Sequence, residues 1–311
     1  MTGILIVLVF FTIWFSTSYR VFKGTFSRPR RKLPDLIEIE KEHGSWFSDY
    51  KNEIITGINW FRTTPREHWE TRSHDRKTLG AYFYPRENAR GAVLLFHGYM
   101  STCENDFCGA AKWYYDNGFS VLGVCQRAHD ISEGKYITLG ARERKDVHAW
   151  VNEATRRLGT DTPLILSGVS MGATAVLCAS ETGFGENVRL LVADCGFESP
   201  KRTLTEQLAR RGGIGAKGLL FTASIFARVT AKYSLTECST VRAMETNTLP
   251  VFFVHGTGDV IVPHQNSVDA AAVCKAPHVL KLIEGAHHTA AFIVGGEELH
   301  RELLEFIDKY I

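Results

Sequence analysis

Five residues near the middle of the chain, Gly168-Val169-Ser170-Met171-Gly172, have the types and spacing of a nucleophile turn. An apolar run, PLILS, precedes them and a small-residue stretch, ATAVLCAS, follows. A sharp strand-to-helix turn would hold the serine in a strained conformation with Oγ exposed. Side chains at either flanking glycine would clash in that turn. Ser170 would attack a carbonyl carbon, and the N-terminus of the following helix would favour the oxyanion that develops.

A nucleophilic serine needs a base, and the base needs an acid to orient it. On an elbow of this kind the acid and then the base follow the serine in chain order. Asp259 lies in HGTGDVIVP, just after the apolar run LPVFFV. His287 and His288 lie in EGAHHTA, after HVLKLI. Both loops would sit at the carboxyl ends of neighbouring strands, where open α/β sheets place their sites. Asp194, ending LLVAD, is the runner-up acid. An oxyanion hole needs a second backbone N–H from the loop after an early strand, and GAVLLFHGYM supplies one. The expected donors are the Tyr99 and Met171 amides. His97 precedes the serine in chain order and reads as a turn-stabilising residue.

These groups need a rigid support. From about residue 78, short apolar runs at 79–85, 91–98, 118–125, 163–170, 188–195, 249–256 and 278–285 alternate with helical stretches at 104–117, 141–158, 171–182, 264–275 and 297–311. Buried strands alternating with helices predict an α/β fold, a mostly parallel sheet covered on both faces. Residues 196–248 interrupt the rhythm. They are too many for an unstructured loop, so they read as a small helical cap inserted late in the sheet. Residues 35–62, with apolar Leu36, Ile37, Ile39, Trp46, Phe47, Ile54, Ile55 and Ile58, read as a helical segment packed on the main domain.

The chain has 311 residues, 44% of them hydrophobic, enough to bury a large core. Its formal net charge of +2 gives no reason to expect nucleic acid as a partner. The seven cysteines form no C-x-x-C pair and several lie in apolar runs, so they read as buried reduced thiols. Residues 1–19 carry no charge. As a helix they would rise about 28 Å, close to the hydrocarbon thickness of a bilayer. Arg20, Lys23, Arg28, Arg30, Arg31 and Lys32 follow at once. A basic cluster on that side stays cytoplasmic, which predicts a single-pass anchor in the cell membrane with the rest of the chain inside. A cleaved signal peptide, with Ser16 and Ser18 near the cleavage point, is the rival. It lacks a positive segment ahead of the apolar run. The expected organisation is an anchor over 1–22, a basic linker and helical juxtamembrane segment over 23–70, and a catalytic domain over 71–311.

From about residue 79 onward the chain resembles the α/β-hydrolase superfamily, in particular bacterial membrane-anchored serine hydrolases of that fold. The resemblance rests on LLFHGYMSTCEND, QRAHDISEGKYITLGARERKDVHAWV, LSGVSMGATAVL, ADCGFES, VFFVHGTGDVIVP and EGAHH. It implies acyl transfer through a Ser–His–Asp triad, esterase-like or peptidase-like. The family's last motif reads G-A-x-H, which implies His288 rather than His287 as the base. One segment departs. Where relatives carry R-G-H-G-x-S, this chain has Arg127-Ala128-His129-Asp130-Ile131-Ser132, with two glycines replaced. The expected activity is hydrolysis of a carboxylic ester in a small acyl substrate. Peptidase, thioesterase, acyltransferase and non-catalytic binding are the alternatives.

Other signals carry less. Residues 213–218 match G-x-G-x-x-G, but the preceding TLTEQLARR reads as a helix, not the strand a dinucleotide site needs. A glycine-rich hinge in the cap, or a plain loop between cap helices, is the better reading. His255, His264, His278, His287 and His288 match no metal-ligand spacing, so neither metal nor cofactor is expected. Phe221, Ile225 and Phe226 have helical spacing and read as core.

Overall fold

The computed structural model describes residues 2–29, 46–211 and 215–311. Eight strands form one sheet in the order β1-β2-β4-β3-β5-β6-β7-β8. The strands are β1 Glu67–Arg72, β2 Thr78–Tyr84, β3 Gly91–Phe96, β4 Phe119–Val124, β5 Leu164–Val169, β6 Val188–Asp194, β7 Val251–Gly256 and β8 His278–Ile283. The pairs β1–β2 and β2–β4 are antiparallel. All neighbouring pairs from β4 to β8 are parallel.

The central strands are apolar throughout because both of their faces are covered. Every residue of β3, β4, β5 and β7 is buried. Successive side chains point to opposite faces. Leu94 and Phe96 join one core with Trp150 and Val176, while Val93 and Leu95 join the other with Tyr114 and Ile307. Each such side chain contributes roughly 1.5–3 kcal/mol by leaving water.

The helices are α1 Thr2–Phe26, α2 Lys51–Thr63, α3 Cys103–Asp106, α4 Ala111–Asp116, α5 Glu143–Leu158, α6 Met171–Ala179, α7 Pro200–Arg211, α8 Ala216–Phe226, α9 Thr240–Thr246, α10 Gln265–Ala272 and α11 Ala291–Tyr310. The strand and helix pattern from residue 78 agrees with the expected one. β1 was not expected. Its sequence, EHWETR, buries only Trp69, so it shows no apolar alternation. α2 packs Ile54 and Ile58 against Cys108, consistent with a helical segment ahead of the domain. The apolar residues Leu36, Ile37 and Ile39, and the basic residues Arg30, Arg31 and Lys32, lie outside the described residues.

Residues between β6 and β7 form the cap: α7, α8, a wide helical turn at Ala227–Ala231, and α9. Two features differ from the sequence reading. α1 runs on to Phe26, past the expected anchor and into the expected linker. Its C-terminal half packs on α8, with Phe22 and Phe26 buried beside Ala223 and Ala227. Phe226 packs against Tyr19 and Phe22, but Phe221 and Ile225 are exposed rather than core. Helical spacing identified a face without showing which face the protein would cover. Of the glycine-rich stretch 213–218, Gly213 and Ile214 lie outside the described residues. An added Cβ at Gly218 would lie 2.9 Å from the Trp14 ring, so that glycine admits α1 close to the cap.

Candidate active site

Ser170 stands between β5 and α6 with φ 54° and ψ −115°. That is the strained region expected of an elbow. An added Cβ at Gly172 would lie 1.8 Å from the Phe96 carbonyl oxygen, and one at Gly168 would lie 2.5 Å from Ala173 N. No side chain fits at either position, so the elbow and its two glycines are one geometric unit.

Asp259 follows β7 and His288 follows β8. His288 Nε2 lies 2.9 Å from Ser170 Oγ, and its Nδ1 lies 2.6 Å from Asp259 Oδ2. With Asp259 accepting at Nδ1, Nε2 is left with its lone pair toward the serine hydroxyl. Asp259 Oδ1 accepts from the N–H groups of Ile261 and Val262, both at 2.8 Å. Burial pushes the Asp259 carboxyl up. Hydrogen bonds from His255 and His288 outweigh it and hold the group well below the usual carboxylate range. The carboxylate is therefore charged and fixed where the imidazole needs it.

His287 is exposed, and the ring that reaches both Ser170 and Asp259 is that of His288. Asp194, the runner-up acid, contributes its backbone instead. Its carbonyl accepts from Ser170 N at 2.8 Å. Its side chain lines a small cavity with Asp106, Tyr114 and Ser167. Burial raises its carboxyl to about 7.

The turn after β3 approaches the elbow closely. An added Cβ at Gly98 would lie 3.3 Å from Ser170 Cβ. Gly98 N donates to Asp106 Oδ2 at 2.5 Å, and Ser101 Oγ donates to Asp106 Oδ1 at 2.6 Å. The Met100 N–H donates to His129 Nε2 at 3.1 Å. Among the described residues, the N–H groups of Tyr99 and Met171 have no protein acceptor. Met171 directly follows Ser170, and Tyr99 directly follows the Gly98 turn that approaches it.

Two buried histidines shape this turn. His97 Nε2 accepts from Gln126 N at 3.1 Å, so its Nδ1–H donates to the Gly98 carbonyl at 2.8 Å. Burial, with His129 adding to it, lowers His97 to about 3, which keeps it neutral. The departing segment 127–132 completes the support. Arg127 donates to both carboxylate oxygens of buried Asp146 at 2.5 and 2.6 Å, and Ser132 Oγ donates to the Cys125 carbonyl at 2.5 Å. Ala128 and Asp130, which stand where relatives carry glycine, both have positive φ, 61° and 39°. Both residues thus hold a backbone region that favours glycine.

His255 is the residue the sequence reading missed. It is fully buried on β7, four positions before Asp259. Its Nε2 lies 3.2 Å from Asp259 Oδ2 and 3.0 Å from the Val262 carbonyl, and its Nδ1 lies 2.7 Å from Ser267 Oγ. It holds the acid loop from behind. The H-x-x-x-D spacing within HGTGD was the available signal. A metal would find Cys195, Asp259 and His288, whose ligand atoms lie within 4.8 Å of one another. Ligation there would engage the same His288 ring that faces Ser170.

No protein-family model matches the chain. It is 23% identical over 230 residues to the uncharacterized protein YqkD of Bacillus subtilis, covering 74% of this chain and 75% of that one. Among solved structures it resembles the esterase Pf2001 of Pyrococcus furiosus, with a TM-score of 0.62, 18% identity, and 91% and 97% of the two chains covered. It also resembles the mouse alpha/beta hydrolase domain-containing protein 10, with a TM-score of 0.57, 17% identity, and 78% and 99% covered. The chain has the α/β-hydrolase fold.

Proposed function

We propose that the protein is a serine hydrolase that cleaves a carboxylic ester, or a related acyl bond, through an acyl-enzyme intermediate. The observation that carries this reading is the chain of contacts from Asp259 Oδ2 through His288 to Ser170 Oγ, at 2.6 and 2.9 Å. Ser170 Oγ attacks the carbonyl carbon while His288 Nε2 takes its proton. Asp259 holds the ring and stabilises the imidazolium. The Tyr99 and Met171 N–H groups receive the oxyanion. His288 returns the proton to the leaving alcohol, whose bond to the acyl carbon breaks. Water, activated by the same ring, then releases the acid and restores Ser170.

The esterase among the fold neighbours supports the ester class. Peptidase, thioesterase and acyltransferase chemistry would use the same groups. α1 is long and apolar enough to cross a membrane, with Ile4–Phe26 containing the apolar window. We read it as the membrane attachment of a cytoplasmic catalytic domain, with a small acyl substrate.

A fluorophosphonate probe on the full-length protein tests the nucleophile. Labelling of the parent and none of Ser170→Ala is the expected result. Absence of labelling in folded parent protein would favour a binding protein of this fold.

A further inference from the structure

α1 does not stand clear of the protein. Trp14 Nε1 donates to Thr222 Oγ1 of the cap at 3.0 Å. The Tyr19 and Phe226 ring centroids lie 5.4 Å apart, and those of Phe22 and Phe226 lie 6.2 Å apart. α1 and α8 therefore run side by side from Trp14 to Phe22. The apolar window Ile4–Phe26 continues past Trp14 and Tyr19, which touch the cap. Lipid that covers that window meets α8 as well.

The surface of α8 suits that neighbour. Phe221, Ile225 and Val229, the last in the turn that continues α8, are 68%, 46% and 69% exposed. They recur every four positions and so form one stripe. The charges on α8 and its continuing turn are Lys217, level with Trp14, and exposed Arg228. Arg228 lies beyond the Phe226–Phe22 contact toward the C-terminal end of α1, where its long stem lets the guanidinium reach headgroups. Lys23, Arg28 and Lys135 line a cleft at the C-terminal end of α1, where anionic headgroups would meet them.

We propose that α8 is a second membrane element: it enters the lipid beside α1, with Phe221, Ile225 and Val229 facing acyl chains. The proposal rests on the membrane reading of α1 and adds the cap to it. The inner sides of α1 and α8 share one apolar cluster with Met171, Tyr99 and Met100. An acyl ester dissolved in the bilayer would thus lie against the cap that covers the elbow, and the substrate class narrows to membrane-dissolved esters.

The test is depth-dependent quenching by spin-labelled lipids. An environment-sensitive fluorophore is attached to single introduced cysteines in the full-length protein, in phosphatidylcholine–phosphatidylglycerol vesicles. The variants are Phe221→Cys, Val229→Cys, Ile6→Cys on α1, and Asp161→Cys as a water-facing reference. All four positions are exposed, and thermal unfolding checks that each variant folds. Loss of fluorescence at Phe221, Val229 and Ile6, with none at Asp161, supports the proposal. Loss at Ile6 alone overturns it and leaves the α1 anchor standing. No loss at any position removes the anchor reading, and this proposal with it.

Discussion

The Tyr99 hydroxyl donates to the Thr25 carbonyl at 2.8 Å, so the last turn of the N-terminal helix is tied to the residue proposed to supply one oxyanion N–H. Phe22 and Phe26, at 0% and 1% exposure, reinforce that tie. α1 is part of the packing of the α/β domain as well as an apolar helix. Removing residues 1–26 takes away both aromatics, each worth about 3–5 kcal/mol in a core. The truncated protein is expected to unfold at a markedly lower temperature and to label more slowly with a fluorophosphonate. Tyr99→Phe removes one hydrogen bond and is expected to cost about 1 kcal/mol with labelling retained. An unchanged unfolding temperature in the truncated protein would show that α1 is not integral.

The contacts at Ser170 make unequal predictions for neighbouring histidines. Ser170→Ala is expected to lower turnover by about 10⁴-fold or more, and Asp259→Asn by about 10³–10⁴-fold. His288→Ala should fall with Ser170→Ala, and the double variant should be no worse than either, because the groups act as a unit. His287→Ala should retain activity. Turnover of a confirmed ester substrate reads all five variants.

His255 acts through Asp259 rather than on substrate. It contacts Asp259, Val262 and Ser267 from a position with 0% exposure. His255→Leu is expected to lower kcat by about 10–100-fold through misplacement of the acid, with KM little changed. His255→Gln, which keeps one donor, should recover part of the loss. A fall in stability with kcat unchanged would mean that the residue only packs.

Much of the site was legible because its chemistry leaves local marks. The elbow glycines are required by contacts of 1.8 and 2.5 Å that no side chain survives, so they show in the sequence. Asp259 and His288 each follow a buried strand. What was hidden depends on partners far along the chain. β1 has one inward residue, Trp69, and takes its strand form from pairing with β2. In α1 the sequence is apolar nearly all round, so nothing local reveals that Ser18, Phe22 and Phe26 are the buried positions. The same uniformity hid the exposed stripe on α8.

The replaced glycines of the 127–132 loop give a backbone test. Asp130 is exposed and sits at φ 39°. Aspartate tolerates this region better than a β-branched residue does. Asp130→Gly is expected to be neutral or slightly stabilising, while Asp130→Val should cost about 1–2 kcal/mol. Thermal unfolding of both variants reads the difference. Equal stability would mean that the loop relaxes out of the left-handed region.

Asp194 offers a prediction whose sign depends on pH. Its carboxyl is buried, Oδ1 has no hydrogen-bond partner among the described residues, and burial raises it to about 7. In the unfolded chain an aspartyl group ionises near 4. Between these values the folded state holds a proton that the unfolded state has released, so this group makes stability fall as pH rises from about 4 to about 7. Below that window both states are protonated and it contributes no penalty. Above it the penalty is full, about 2–4 kcal/mol for a group this buried. Asp194→Asn keeps the shape and cannot ionise. The variant is therefore expected to gain stability over the parent at about pH 8 and to gain little at about pH 4. Chemical denaturation across that range measures the gap, and taking the difference between the two proteins cancels the titrating groups that lie away from Asp194; His255, Asp259 and Asp106 are the neighbours that respond to its charge. A gap that stays constant with pH would mean that Asp194 ionises normally and that water or a nearby donor satisfies Oδ1.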